Sequence, residues 1–163
     1  MSRTTAATRA LDALGVSYEL VSYDYDPGAE GVGMQAAASL GVAPDRVLKT
    51  LMVEVDGKPV CALLASDREL AMKRLAAAAG GRSAAMMKPA DAERITGFRV
   101  GGVSAFGQKR KTPAFVDAAA LAHDEVYVNA GQRGLQARIS PRDLVAALSA
   151  TVAEVSTPPD PSR

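Results

Sequence analysis

The 163-residue sequence has one cysteine, one histidine and a formal net charge of only +1. A lone cysteine, Cys61, leaves no internal disulfide framework and suits a reducing cytoplasm. With His123 the sole histidine, no zinc-site cluster can be assembled. No apolar run reaches the length of a membrane span, because charges break the longest ones. The N-terminal "MSRTTAATRALDALG" has no continuous apolar core and reads as an amphipathic helix, not a signal peptide. The near-zero net charge means that any nucleic-acid binding rests on a local basic patch.

The usual nucleophiles are missing as a set. Cys61 lies inside "VCALLA", where a thiol is buried and inert. His123 sits beside Asp124 and Glu125 in a polar connection and reads as a surface histidine. Asp24 and Asp26 flank Tyr25 in a turn-rich loop, so a turn role is the expectation for both. An enzyme built from this sequence would have neither a serine or cysteine triad nor a metal. It would work by positioning, backbone dipoles and a cation on an activated substrate, such as an ester, or on one that brings its own nucleophile.

What is present is a well-punctuated α+β pattern. Hydrophobic residues make up 48% of the chain, enough for one domain with a sizeable core. Apolar spacing predicts a helix over 4–14 with Ala7, Ala10, Leu11 and Leu14 on one face, ended by Gly15. A strand over 16–21, a loop, and a short helix over 34–40 closed by Gly41 follow. "VLKTLMVEV" and "PVCALLA" flank Asp56–Gly57, a strong hairpin signal, and the second strand is apolar enough to be buried on both faces. Asp67 is expected to cap a helix over 69–79. "SAAMM" reads as a strand, Pro89 opens a helix through about residue 95, and "TPAFVD" is a strand. Residues 124–139 read as two strands around a glycine loop at 130–134, and Ser140 caps a final helix with Pro141 in its first turn. Strands arrive as hairpins among helices, which predicts a mixed or mostly antiparallel sheet in a single domain over 1–155. The Pro-rich tail 156–163 is expected to be disordered.

Three features bear on chemistry. Lys49 shares a strand face with Val47, Leu51, Val53 and Val55. It either snorkels to solvent or supplies the cation of a pocket. "GGVSAFGQKRK" (101–111) lacks both the P-loop and the dinucleotide-binding spacing, so its glycines make either a turn or a backbone cradle for an oxyanion. Its basic end, 108–111, is either a solvated loop or a phosphate contact. "NAGQRGLQ" (129–136) is a second small-residue loop, bearing Arg133.

In order, "YDYDP", "VLKTL", "GGVSAFGQKRK" and "YVNAGQRGL" resemble the YbaK-type aminoacyl-tRNA deacylases, relatives of the editing domain inserted in bacterial prolyl-tRNA synthetases. The resemblance runs over 4–155. It implies a barrel-like mixed sheet flanked by helices, no metal or cofactor, and hydrolysis of mischarged tRNA, foremost Cys-tRNA(Pro), alongside prolyl-tRNA synthetase. It places Lys49 on the family's essential lysine, with Thr50 following and Tyr23 on a pocket tyrosine. Gly101 opens the G-x-x-x-P element, and Gly131 and Gly134 match the second loop. On that basis Lys49, Gly101 and Gly102 are the catalytic candidates. Tyr23, Thr50, Val103, Ser104, Ala105, Gly131, Arg133 and Gly134 are the substrate-binding ones. Two positions depart: Ala105 stands where the family has proline, and Tyr25 where it has histidine. The alternatives are a module that grips tRNA or a synthetase without hydrolysis, a deacylase for another small amino acid such as Ala-tRNA(Pro), and a nucleotide-binding domain.

Overall fold

In the computed structural model, residues 3–28 and 31–159 are described. Helix α1 (Ala6–Ala13) starts from a reciprocal cap. Thr5 Oγ1 accepts from the Thr8 amide at 3.0 Å, and Thr8 Oγ1 accepts from the Thr5 amide at 2.8 Å. Ala7 and Leu11 are fully buried, but Leu14 is 53% exposed. The expected stripe is therefore one residue too long: Leu14 is the C-cap, where the helix ends and the apolar period no longer applies.

Strand β1 (Glu19–Ser22) is followed by α2 (Val32–Leu40), closed by Gly41 in the left-handed region as the sequence suggests. β2 (Leu48–Val55) and β3 (Lys58–Ala65) form the predicted hairpin, with positive φ at both Asp56 and Gly57. β3 is buried on both faces, as expected. Cys61 and Leu63 enter one apolar cluster, and Val60 and Ala62 enter the other.

The next segment corrects the sequence reading. Asp67 does not cap a helix at residue 69. A two-residue strand, β4 (Glu69–Leu70), comes first, and α3 (Met72–Ala78) starts from Ala71 with no side-chain cap. The reason is non-local: β4 pairs with β10 (Ser156–Thr157), which lies in the tail expected to be disordered. Ser156 is buried and donates its hydroxyl to Asp117 at 2.7 Å, and Arg68 Nε donates to Ser156 Oγ at 2.6 Å. The tail therefore belongs to the fold through Thr157, and residues 160–163 lie outside the described residues.

β5 (Ala84–Met86), α4 (Pro89–Thr96) and β6 (Ala114–Asp117) follow in the expected order. β7 (Val126–Gln132) and β8 (Leu135–Ile139) run closer together than the predicted loop allowed. A bulge after Asn129 absorbs the extra residues, so only Arg133 and Gly134 form the turn. α5 (Pro141–Leu148) is capped by Ser140, and β9 (Thr151–Ala153) leads into β10.

The strands make three sheets: β1-β8-β7, β10-β4 and β5-β2-β3-β6-β9. The five-stranded sheet is mixed, with β2 antiparallel to β3 and β5, and β6 parallel to β3 and β9. The α+β class stands, but the ladders do not close into a barrel. One isolated parallel bridge, Val47 to Tyr127, joins the two larger sheets. β2 is paired along its whole length with β3, while β5 covers only Val53–Val55 on its other side. Between the bridge at Val47 and β5, that second edge has no strand partner among the described residues.

Candidate active site

A cavity of about 380 Å³ opens against this bare edge. Leu48 to Met52 of β2 form one wall, and the N-terminal turn of α2 (Gly31 to Met34) forms another. Gly101 and Val103 approach from the first glycine loop, and Asn129 and Gln136 from β7 and β8. Helix α2 comes close because Gly33 has no side chain: a Cβ there would lie 2.0 Å from Ser66 Oγ. That hydroxyl is already committed, donating to the Val47 carbonyl at 2.5 Å. Met34, Met86 and Val100, each more than two-fifths exposed, give the cavity an apolar rim.

Among the described residues, Lys49 is the only charged one lining the cavity. It is half-buried, and loss of solvent pushes its pKa below the usual lysine range, with Glu69 and Asp67 partly opposing the shift. The two open readings of Lys49 thus meet: the side chain leaves the apolar face of β2 by pointing into a pocket. Beside it, Thr50 Oγ1 is buried without a hydrogen-bond partner in the protein. Gln136 is 2% exposed, and its Oε1 likewise has none. Unused polar capacity in a buried wall calls for a polar guest.

The two glycine loops do converge. Asn129 Nδ2 donates to the Gly101 carbonyl at 3.1 Å, and Asn129 Oδ1 accepts from the Gly131 amide at 2.7 Å. A Cβ on Gly102 would sit 2.9 Å from the backbone nitrogen of Arg133, so the loops touch main chain to main chain. This contact redistributes the predicted roles. Lys49, Thr50, Gly101 and Val103 line the cavity; Gly102, Ser104, Ala105, Gly131, Arg133 and Gly134 do not. The amides of Gly102 and Gly131 are spent inside the protein, on the Arg99 carbonyl at 2.8 Å and on Asn129.

Ser104 is fully buried and its hydroxyl accepts from the Phe106 amide at 3.1 Å, while Ala105 packs against the main core. Arg133 clamps the loops from outside: its Nε donates to the Val100 carbonyl at 2.9 Å, and its guanidinium lies 5.3 Å from the centre of the Tyr25 ring. Gly134 abuts the Tyr23 carbonyl, and its own carbonyl accepts from the Tyr23 amide at 2.9 Å. Tyr23 itself stands behind the lining, its pKa raised by burial and by Tyr25, with the Gly134 backbone and the Gln136 side chain opposing the shift.

Other expectations resolve simply. Cys61 is buried, and burial pushes its pKa up to about 12. His123 is far from the cavity in function, its Nε2 lying 3.6 Å from an Asp45 carboxylate oxygen. Asp26 has the turn role expected of it, its carboxylate accepting from the Gly28 amide at 2.9 Å. Gln108 turns inward and donates to the Ser104 carbonyl at 3.1 Å, so the basic run does not reach this cavity. Asn129 and Gln136 were not among the sequence candidates.

An aminoacyl-tRNA editing domain model matches residues 27–147, a span that includes every cavity-lining residue. The chain belongs to the aminoacyl-tRNA editing family. EbsC of Enterococcus faecalis, named as a Cys-tRNA(Pro)/Cys-tRNA(Cys) deacylase, is 31% identical over 94% of this chain and 93% of its own. A proline–tRNA ligase of Nitratidesulfovibrio vulgaris is 36% identical over 56% of the chain, which is 16% of the ligase. The crystal structure of the hypothetical protein APE2540 superposes with a TM-score of 0.84 at 27% identity, covering 94% of this chain and 100% of that one. The editing domain is thus an enzyme of the aminoacyl-tRNA deacylase class. Among its described residues, no helix is long and apolar enough to cross a membrane.

Proposed function

We propose that the protein hydrolyses the ester of tRNA mischarged with a small amino acid, with Cys-tRNA(Pro) the foremost substrate. The observation that carries this reading is Lys49, half-buried and, among the described residues, the sole charge in a cavity whose wall includes apolar groups and the unpartnered oxygens of Thr50 and Gln136. A single desolvated cation suits the ribose or phosphate at the 3′ end of a tRNA. The exposed Met34, Met86 and Val100 offer apolar contact to the terminal base.

Among the described lining residues there is no cysteine, histidine, aspartate or glutamate, and the Ser66 hydroxyl is committed to Val47. This composition favours a substrate that brings its own nucleophile. In a cysteinyl ester, the side-chain sulfur attacks the carbonyl carbon, the bond to the ribose oxygen breaks, and the thiol proton ends on that oxygen. Water then opens the cyclic thioester and frees cysteine. In this reading Lys49 holds the ribose end, Gly101 and Val103 face the carbonyl, and Thr50 and Gln136 bond the polar groups of the aminoacyl moiety. Gly102, Gly131, Arg133 and Gly134 act by fixing the loops. Ala105 lies away from the lining, so the reading does not depend on the proline it replaces. The synthetase is proposed as the partner that produces the substrate.

The test is deacylation of cysteinyl- and alanyl-tRNA(Pro), with and without prolyl-tRNA synthetase. Rapid loss of the cysteinyl ester and slow loss of the alanyl ester is the expected result. Cleavage of neither above buffer overturns the proposal. Equal cleavage of both removes the thiol from the mechanism.

A further inference from the structure

The catalytic cavity holds one cation, which is little for a polyanionic substrate, and the net charge of +1 supplies no long-range field. Positive charge is instead gathered at the opposite end of β2. A second cleft, of about 460 Å³, lies between the β2–β3 turn, the Gly80–Gly81 segment after α3, and residues 110–113. Lys58, Arg110 and Lys111 line it, and all three are exposed. Among the described residues, none of the three is in an ion pair. The acid in the wall, Asp56, accepts from the Arg82 amide at 3.0 Å and from the Ser83 amide at 3.0 Å, and Lys58 also stabilises its carboxylate through space.

The frame around these cations is fixed. The Lys109 amide donates to the Thr96 carbonyl at 2.8 Å and the Arg110 amide to the Ile95 carbonyl at 2.9 Å, which pins the basic segment to the end of α4. At its other end, the Cys61 amide donates to the Pro113 carbonyl at 2.8 Å. Gly81 has no room for a side chain, since a Cβ would lie 2.5 Å from Val55, so this wall is bare main chain. Val55, Val60 and Phe115 form the floor and are each less than a tenth exposed, so the exposed charged heads in the cleft are Lys58, Arg110 and Lys111, beside the apolar Pro59 and Pro113. Charged heads on a rigid frame with glycine backbone between them are the groups that meet a phosphate backbone.

We infer that this cleft is a docking site for the phosphate backbone of the RNA whose 3′ end enters the catalytic cavity. The inference rests on the deacylase reading above. From Lys49 to Val55 is six residues of strand, about 20 Å. A mononucleotide seated at Lys49 ends short of the cleft; a polynucleotide reaches it. The basic run that has no part in the catalytic cavity thereby acquires a role. The neutral chain grips its substrate at two points, one reading the ester and one the backbone.

The experiment compares wild type with the triple variant Lys58→Gln/Arg110→Gln/Lys111→Gln. A control triple, Arg3→Gln/Arg9→Gln/Lys73→Gln, removes the same charge elsewhere, and circular dichroism checks folding of both. Two substrates are used: full-length cysteinyl-tRNA and the cysteinyl ester of the trinucleotide CCA. The cleft variant is expected to raise KM for the tRNA about tenfold relative to KM for the trinucleotide ester. It should also flatten the salt dependence of tRNA binding by about two units of log–log slope, at roughly 0.7–0.9 per lost phosphate contact. An unchanged KM ratio and salt slope overturn the inference, as does an equal effect of the control triple. Retained tRNA binding with loss of synthetase binding also overturns it and makes the cleft a protein surface. If wild type cleaves neither ester, the deacylase reading fails. The cleft is then judged by binding of uncharged tRNA alone, where the same change of slope supports it and no change overturns it.

Discussion

Asn129 holds Gly101 through its side-chain amide, donating to the Gly101 carbonyl at 3.1 Å while its own Oδ1 accepts from the Gly131 amide. One side chain thus bonds both glycine loops, and the rim of the cavity depends on it. Replacing Asn129 with Ala removes both bonds and leaves the half-buried Gly101 carbonyl and Gly131 amide without them, at about 1–3 kcal/mol of stability. Deacylation should fall at least tenfold, and a melting curve alongside steady-state kinetics checks both effects. Asn129→Asp keeps the acceptor but loses the donor to Gly101, and should fall between the two.

Gly102 makes the companion prediction. A methyl group there meets the main chain of Gln132 and Arg133 at 3.0 and 2.9 Å, where neither neighbour is a flexible side chain. Gly102→Ala should therefore push the loops apart and cost about 1–3 kcal/mol. The expected kinetic signature is a lower kcat for the ester, because Gly101 shifts with its neighbour. Wild-type rates in Gly102→Ala would show that the loop contact is not needed for positioning.

Lys49 carries opposite predictions for activity and stability. Lys49→Met should abolish deacylation while the protein stays folded. Burial lowers the lysine's pKa in the folded state, so the unfolded chain binds more protons between the two pKa values, and wild-type stability rises with pH there. At pH 7 the variant should melt no lower than wild type, and the difference should move in favour of wild type as pH approaches 10. Thermal melts at pH 7, 8.5 and 10 test this. A variant that loses stability at pH 7 would contradict the desolvation of Lys49.

Cys61 should be chemically silent. Its thiol is buried and its pKa is pushed up to about 12, so iodoacetamide should label it only after denaturation. Cys61→Ala should keep deacylase activity, at a stability cost of about 1 kcal/mol for the lost volume. Loss of turnover in a folded Cys61→Ala protein would implicate a protein thiol after all.

Asp117 anchors the chain's end. It is 2% exposed and accepts from the Val155 amide at 3.0 Å and the Ser156 hydroxyl at 2.7 Å, with Arg68 Nε at 3.8 Å. Asp117→Ala strands these donors and should cost about 2–4 kcal/mol. Truncation after Val155 should destabilise the protein measurably, whereas truncation after Thr157 should not. Chemical denaturation of the three variants separates these cases.

Local chemistry made much of the fold legible. Asp56–Gly57, Ser140–Pro141 and Pro89 each act within a few residues, and each turn or helix start falls where the sequence places it. What escaped was non-local. Glu69 and Leu70 are extended because Ser156 and Thr157 pair with them, a partnership 86 residues away along the chain. Of the site, Lys49 was visible as a cation on an apolar stripe, but its direction was not. Asn129 and Gln136 left a signal that went unused, since each is a polar side chain inside a strand whose neighbours are buried. The loop glycines were recognised, but which of them touch the cavity and which only touch each other is a tertiary fact.

The cavity lies along a seam, with one sheet on each side and, among the described residues, the Val47–Tyr127 bridge as the only strand pairing across it. Side chains rather than ladders join the two sheets here, with Met52 and Leu63 of one in the same buried cluster as Val128 and Ala137 of the other. The space left for an amino-acid side chain is then set partly by residues that never touch it. Arg46, whose guanidinium lies 5.6 Å from the centre of the Tyr127 ring, flanks that bridge. Related chains could change which ester they accept by altering residues around the bridge, while every lining residue stayed the same.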